Sequence, residues 1–594
     1  YAYADYVTGK IWGLKHDGKQ VTWQQELLDS AEDIICFGLD SEGELYVVSY
    51  NGAVHRLIEN PQQQANQSFP KKLSETGLFA NVRKHQLAPG VIPYEVNAPL
   101  WSDGVQSTRF IAVPGLATLG VHEKQNEQVG DIKGAWKYPS DTVLGKTYYT
   151  FAPDLAYLPK YVETQILHRD GDTWKAYNYI WNDEGTDAIL AGPEASTSTI
   201  TVPRESGSGF YTQTWRHAAR SECILCHTTR AGTIHGFAPE QLDLTVNASS
   251  PTPEAKPDLH NQLAEFTSLG LFEQPVSEDH PVLVDPYDVK ADLDARARSY
   301  LHVNCGHCHR RGGGGTAAFD VRFTMPLAKA NLLNARPTQG SFEILSAAVV
   351  APGDPYRSLL YYRMAKLGRG RMPHFGSTVV DERGVELMHD WIASLKNPDP
   401  KATEPASVAA QRAREEQLLK TAMTDRSQKA AALKELFSTP SGALRALHAL
   451  KEIPNYVDVI ASGYQHEDVR VRDLFERFIP EKDRSARLGT DIRPDDILSL
   501  PGDAARGKQL FLTGAGLQCR NCHRAQGQGK PLGPDFDGIG KKQTTADILA
   551  SMIEPSKKID PKYLTYVVET GDGFVHQGLL VERTDEDISL RTAE

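Results

Sequence analysis

The chain has 594 residues, 40% of them apolar and 24% charged, with a mean hydropathy of −0.42. This composition excludes a disordered chain and fills several cores, about four domains at roughly 150 residues each. A net charge of −12 excludes nonspecific binding to nucleic acid or to an anionic membrane surface, and no run of about 18 uncharged apolar residues encodes a membrane helix.

The first elements in chain order are short antiparallel strands. Tyr1-Ala-Tyr-Ala-Asp5-Tyr-Val-Thr-Gly9-Lys-Ile-Trp12 and the run from Asp40 to Leu57 alternate apolar and polar residues between Gly, Asp and Asn turns. This stretch resembles the last blade of the six-bladed propeller of quinone-dependent glucose/sorbosone dehydrogenases. A single blade cannot bury its own faces, so the resemblance implies further blades upstream, and any PQQ cofactor would belong only to that upstream region, not present here. The other reading is a small β cap on the next domain. Cys36, in Asp33-Ile-Ile-Cys36-Phe-Gly, reads as a buried strand cysteine with a packing role.

Residues 75 to 246 are rich in β-branched and aromatic runs, such as Thr147-Tyr-Tyr-Thr-Phe, and are predicted to be mostly β. Residues 285 to 396 read as helical, including a helix from Asp381 to Ile392. Residues 406 to 485, rich in Ala, Leu, Glu, Lys and Arg, read as stacked helical pairs of HEAT-like type without a clean repeat period. Strand signals return at Tyr563–Val581, with a turn at Gly571-Asp-Gly573, and again at Ile588–Arg591. Linker composition marks 247–257, 397–405 and 491–503. The predicted fold is therefore multidomain α+β: a β-blade-like N-terminus (1–74), a mostly β domain (75–260), two helical domains that each hold a Cys-x-x-Cys-His string (261–400 and 491–594), and a helical HEAT-like segment between them (401–490).

The chemistry lies in the cysteines. Six of the seven form three CxxC pairs, each followed at once by histidine: Cys223-Ile-Leu-Cys226-His227, Cys305-Gly-His-Cys308-His309 and Cys519-Arg-Asn-Cys522-His523. At this composition chance gives about 0.003 such strings per chain. Covalent haem needs two thiols that reach its vinyl groups and an imidazole that reaches the iron from the same side. CxxCH supplies both within one helical turn. Zinc takes four N/S ligands and does not demand a histidine after every pair, and a thioredoxin-type CxxC needs a βαβ context. The expectation is three covalent haems c, attached at these six cysteines, with His227, His309 and His523 as proximal ligands.

The sixth ligand sets what each iron does, because a Met thioether closes the site for electron transfer while an open position admits other ligands. For haem 2, Met372 in Gly368-Arg-Gly-Arg-Met372-Pro-His374 is the best-placed of six methionines, against His374 or a packing role; Met364 and Met388 read as core. For haem 3, Met552 is the only later Met, and it equally suits the apolar face of a helix. There Gly533-Pro534 follows His523 as in small class I cytochromes, where the Pro carbonyl accepts the proximal imidazole N–H. Haem 1 has no Met before Met325. Its sixth ligand is His217, His235, the more distant His168, a less usual ligand, a group from another domain, or nothing.

Two further resemblances rest on these residues. Tyr94-Glu-Val-Asn-Ala-Pro-Leu-Trp101-Ser-Asp103-Gly-Val-Gln-Ser-Thr-Arg109, Gly185-Thr-Asp187-Ala and Arg220-Ser-Glu222 ahead of the first motif resemble an uncharacterised family of bacterial dihaem c-type proteins over about 75–396. The segment from about 502 onward resembles the planctomycete/verrucomicrobial haem-binding domain, often fused to dehydrogenase-like propellers. The resemblance implies periplasmic or secreted electron transfer and no known substrate.

The functional expectation is a trihaem electron carrier, periplasmic or at the cell surface, fed by a quinone-dependent sugar or alcohol dehydrogenase, either fused or separate. Its redox partner is expected to be basic, given the acidic chain and up to six haem propionates. No nucleic-acid partner is expected, and an oligomer is left open. The alternatives are a peroxidase-type haem enzyme with an open iron at haem 1, and a subunit of a structural electron-conducting assembly.

Overall fold

In the computed structural model the alternating apolar residues between 91 and 190 build one six-stranded antiparallel sheet. Its spatial order is Ala188–Leu190, Thr173–Trp181, Pro159–Asp170, Val143–Phe151, Gln106–Ala112, Val91–Tyr94. The structure describes all residues except 7–8, 18–20, 31, 33, 41–42, 51, 59–68, 124–133, 152–157, 193–194, 204–208, 229–231, 249–257, 278, 311–312, 316, 318, 400–403, 485–493, 514–518, 554–559, 570–574, 585–586 and 592–594. Within the three expected linker segments, residues 249–257, 400–403 and 491–493 lie outside the described residues, as does the expected turn at Gly571–Gly573. The molecule is mixed α and β, and its contacts divide it into two compact units, 1–339 with 346–403, and 340–345 with 404–594.

In the first unit both faces of the sheet are covered. Tyr94, Ile111, Leu144, Phe237 and Phe266 form one core, and Phe110, Ile166, Tyr177 and Tyr179 form another. Burial of this kind is worth about 25 cal/mol per Å² of apolar surface, which makes the sheet the rigid base for what sits on it. Gly145 is required by packing, since a Cβ there would lie 2.0 Å from the Phe110 ring. A hairpin of Ser196–Pro203 and Phe210–His217 leads directly into the short helix Arg220–Cys226 that carries the first CxxCH. The helices Leu293–Asn304, Leu359–Ala365 and Glu382–Ser394 surround the second motif. Asp381 caps the last of these by accepting from Gly384 N at 2.9 Å.

At the N-terminus the strands fall into two three-stranded antiparallel sheets that share Ile11, Ile34 and Val47 as their core. A propeller blade is instead a single four-stranded sheet. Cys36 corrects its expectation: it is exposed. An irregularity in the register between Ile34 and Cys36 breaks the alternation, so Ile34 and Phe37 turn inward in its place.

In the second unit, helices Ala406–Thr424, Lys429–Leu436, Pro440–His448, Tyr456–Tyr464 and Val469–Phe475 pack around Leu433, Leu444, Val459, Val471 and Phe475. Gly463 lets the last two approach, because a Cβ there would lie 2.2 Å from the Phe475 ring. The third motif follows helix Ala504–Thr513, and a three-stranded antiparallel sheet of Thr565–Glu569, Val575–Arg583 and Ile588–Arg591 comes after it.

Candidate haem-binding sites

Each CxxCH string closes one helical turn. The histidine N–H donates to the carbonyl of the first cysteine at 3.1 Å for His227, 2.8 Å for His309 and 2.8 Å for His523. One turn returns the chain to the same side, so the thiols and the imidazole project together. His227 Nδ1 lies 2.5 Å from Thr233 O, and His523 Nδ1 lies 2.9 Å from Pro534 O, the bond expected from sequence. A carbonyl can only accept, so the proton sits on Nδ1 and Nε2 keeps the lone pair that a metal needs. The His309 Nδ1 is buried and has no hydrogen-bond partner among the described residues.

The second and third motifs share a local design. His309 stacks on Phe319 at 4.3 Å and 15°, and His523 stacks on Phe536 at 4.3 Å and 20°. A glycine leaves room at each ring. A Cβ on Gly315 would lie 3.0 Å from His309 Nδ1, and one on Gly533 would lie 2.6 Å from His523 Cε1. Paired thiols, an imidazole with its lone pair free and a cradle of small residues together fit a covalently held haem.

The first motif is held against the six-stranded sheet. Arg220 Nε donates to Ala176 O at 2.9 Å and its guanidinium lies over Tyr177; Asn178 Nδ2 donates to Ala218 O at 3.0 Å. Glu222 accepts from Ala219 N at 2.9 Å at the helix start, and it binds Arg216 through two bonds of 2.7 Å. The motif string Arg220-Ser-Glu222 thus contains an anchor and a cap. Burial holds His227 down at about 4, with the fields of His307 and Lys10 adding to the effect, and it drives the Lys146 amine well below its ordinary range.

The two histidines proposed from sequence for haem 1 occupy different environments. His235 stacks beside His227 at 5.4 Å and 28°, with Nε2 2.9 Å from Cys226 O, so its Nδ1 keeps the lone pair. His217 is 2% exposed and fully engaged: Nδ1 lies 2.6 Å from Glu163 and Nε2 lies 3.0 Å from Ser198 Oγ. Ligation by His217 would break the bond at whichever nitrogen met the iron. His168 pairs with Asp141 at 3.5 Å.

The second motif is organised by the string that begins at Tyr94. Trp101 N donates to the side chain of Asn304, the residue before Cys305, at 2.9 Å, and Trp101 Nε1 donates to Val379 O at 3.1 Å. Asp103, 5% exposed, accepts from Ser377 Oγ at 2.7 Å, Thr378 N at 2.8 Å, Thr378 Oγ1 at 2.9 Å and Val379 N at 3.1 Å. From within the same loop, Arg371 donates to Pro373 O, Ser377 O and Val379 O at 2.7–2.9 Å. Met372 and His374 lie on this clamped loop, and Met372 N donates to Arg363 O at 3.1 Å. Met364 and Met388 are core residues. Met552 is 73% exposed on helix Thr545–Ile553.

The fold brings the first two motifs together, which the sequence did not reveal. The side-chain ligand atoms of Cys226, His307 and Cys308 all lie within 4.8 Å of one another. With both cysteines as thiols, Cys226 keeps its proton and donates it to Cys308, which raises the one and lowers the other. His307 sits between the cysteines of its own motif, and its ring lies 6.4 Å from that of His235. Sequence reasoning missed His307 and Lys10. The one signal was a second histidine inside a CxxCH string, at a position that the spacing rule leaves free.

A cytochrome c family model matches residues 504–589. No curated protein and no solved structure matches the chain. The matched segment contains the third motif, so the chain carries a cytochrome c domain, the type of an electron-transfer haem protein with iron in covalently bound haem c. Such domains are typically extracytoplasmic. Among the described residues no helix is long and apolar enough to cross a membrane.

Proposed function

We propose that this chain, with its cytochrome c domain, is a three-haem electron carrier of the periplasm or cell surface, acting beside a quinone-dependent dehydrogenase. The observation that carries the reading is the repeated turn: all three CxxCH strings, not only the one inside the matched domain, close the same hydrogen-bonded ring from histidine to first cysteine. Bound haem supplies one-electron exchange at iron. The protein supplies the thioether anchors Cys223, Cys226, Cys305, Cys308, Cys519 and Cys522, and the imidazoles of His227, His309 and His523. Thr233 O and Pro534 O hold two of those imidazoles in the tautomer that leaves Nε2 free.

Met372 is the sixth ligand assigned to haem 2, because its loop is fixed from both sides by Asp103 and Arg371. His235 is assigned to haem 1 in preference to the engaged His217, and Met552 to haem 3. Intact mass combined with the pyridine haemochrome spectrum tests the count: three covalent haems are expected, and fewer would overturn the reading. The acidic chain favours a basic partner. The stopped-flow rate with a basic acceptor should fall as salt rises, and a flat rate would remove that partner class.

A second reading, a haem enzyme with an open iron at the first site, is favoured by the engagement of both His217 nitrogens. Cyanide or carbon monoxide shifting the spectrum of one haem in three would support it; a spectrum that does not change would exclude it.

A further inference from the structure

We propose that Cys226 and Cys308 fasten the first two haems rim to rim, as one contact pair with His307 at the junction. This rests on the three-haem reading. In a c-type attachment each cysteine thiol adds across a vinyl group carried on the porphyrin rim, giving a thioether. Two sulfurs within 4.8 Å of each other therefore bring two rims to the same place.

The arrangement is held on both sides. The first motif is pinned to strand Thr173–Trp181 through Arg220 and Asn178. The second is pinned through Asn304, which accepts from Trp101 N and donates to Tyr300 O at 3.1 Å. Both anchorages belong to the same compact unit, so the two sulfurs are not free to drift apart.

His307 adds an independent observation. A surface turn gives no packing reason for a histidine between the two cysteines. Here its ring continues a row from His227 through His235, with centroid spacings of 5.4 and 6.4 Å, toward the second motif. Partial burial of this junction lowers the local dielectric, so a charge at one site is felt strongly at the other. The coupling must be reciprocal, as for any two linked sites.

The test uses the haem-loaded full chain. Spin-quantified EPR of the oxidised protein should show that two ferric centres do not integrate as isolated signals. The Cys519→Ser/Cys522→Ser variant, without the third haem, should keep that coupled signal. The Cys305→Ser/Cys308→Ser variant should release an isolated signal for haem 1 and shift its midpoint potential. His307→Ala should keep three haems by mass and shift the midpoints of the pair; unchanged midpoints would remove His307 from the junction. If mass shows three haems while every ferric signal integrates as isolated, the pair is overturned and the three-haem reading stands. If mass shows fewer than three, the underlying reading falls and the pair with it. Should the cysteine variants fail to accumulate, the spin count of the unmodified protein decides alone.

Discussion

Replacing Asp103 by asparagine should loosen the loop that presents Met372. Asp103 has a left-handed backbone, φ +52°, which asparagine tolerates, so the change acts on the side chain alone. One amide oxygen can still accept from Ser377 Oγ and Val379 N. The amide nitrogen then faces the exposed Thr378 N–H, which loses its 2.8 Å bond and keeps only the longer 3.1 Å bond to the remaining oxygen, at a cost of about 0.5–1.5 kcal/mol. The surviving bonds also lose their charge assistance, from roughly 1.5–3 to roughly 0.5–1.5 kcal/mol each. A total near 3 kcal/mol for local opening corresponds to about a hundredfold faster amide exchange at Thr378 and Val379. Hydrogen–deuterium exchange of the haem-loaded protein reads that change, and the near-infrared absorption of a Met-ligated ferric haem should weaken with it. If exchange at 378–379 stays within about twofold of the parent and the Met-ligand absorption is unchanged, the clamp has been misread.

Three further outcomes follow from single contacts. Gly533→Ala places a Cβ 2.6 Å from the His523 ring, an overpacking cost of about 1–3 kcal/mol, and intact mass should show reduced loading of the third haem. Burial holds His85 at about 4, below its ordinary 6.5, so the unfolded chain gains a proton that the folded one refuses. Stability should therefore fall, by at most about 3 kcal/mol, as pH drops from 6.5 toward 4, and denaturant melts of His85→Asn should show a shallower slope across that window. Glu415→Ala strips the buried Arg445 of its 2.9 Å carboxylate partner. A loss of about 3–5 kcal/mol is expected in urea melts of the second unit.

What was legible in the sequence was local. The CxxCH strings fix their own geometry, because one helical turn is enough to bring thiols and imidazole together. The helix Glu382–Ser394 announced itself through its apolar period and its Asp381 cap, and the resemblance to small class I cytochromes pointed to the Pro534 carbonyl as the partner of His523. What was not legible depended on distant residues. His217 looked like a free ligand near its motif, but its partner Glu163 is 54 residues earlier on another strand. Cys36 looked buried from alternation, and one register irregularity turned it outward. The meeting of Cys226 with Cys308 leaves no trace in spacing or composition, since neither string constrains where the other sits.

The string from Tyr94 to Arg109 shows why such a segment is distinctive without carrying any ligand. Tyr94 packs edge-on against Phe237 at 5.0 Å in the core, Asn97 binds Glu240 O and Asp243 O beyond the first motif, Trp101 holds Asn304 before the second, and Asp103 holds the loop after Met372. One short run of chain thus ties three segments that are remote from it in sequence. Each of those bonds needs a particular donor or acceptor at a particular place, so a hydrophobic residue of similar size could fill the volume of Asn97 or Asp103 but would strand the buried groups they satisfy. Ligand residues decide which group is bound. On the three-haem reading, residues that do not themselves ligate iron decide whether two motifs and one methionine loop stand in fixed register, and a change at Trp101 or Asp103 should therefore alter ligation at the second haem while leaving its covalent attachment intact.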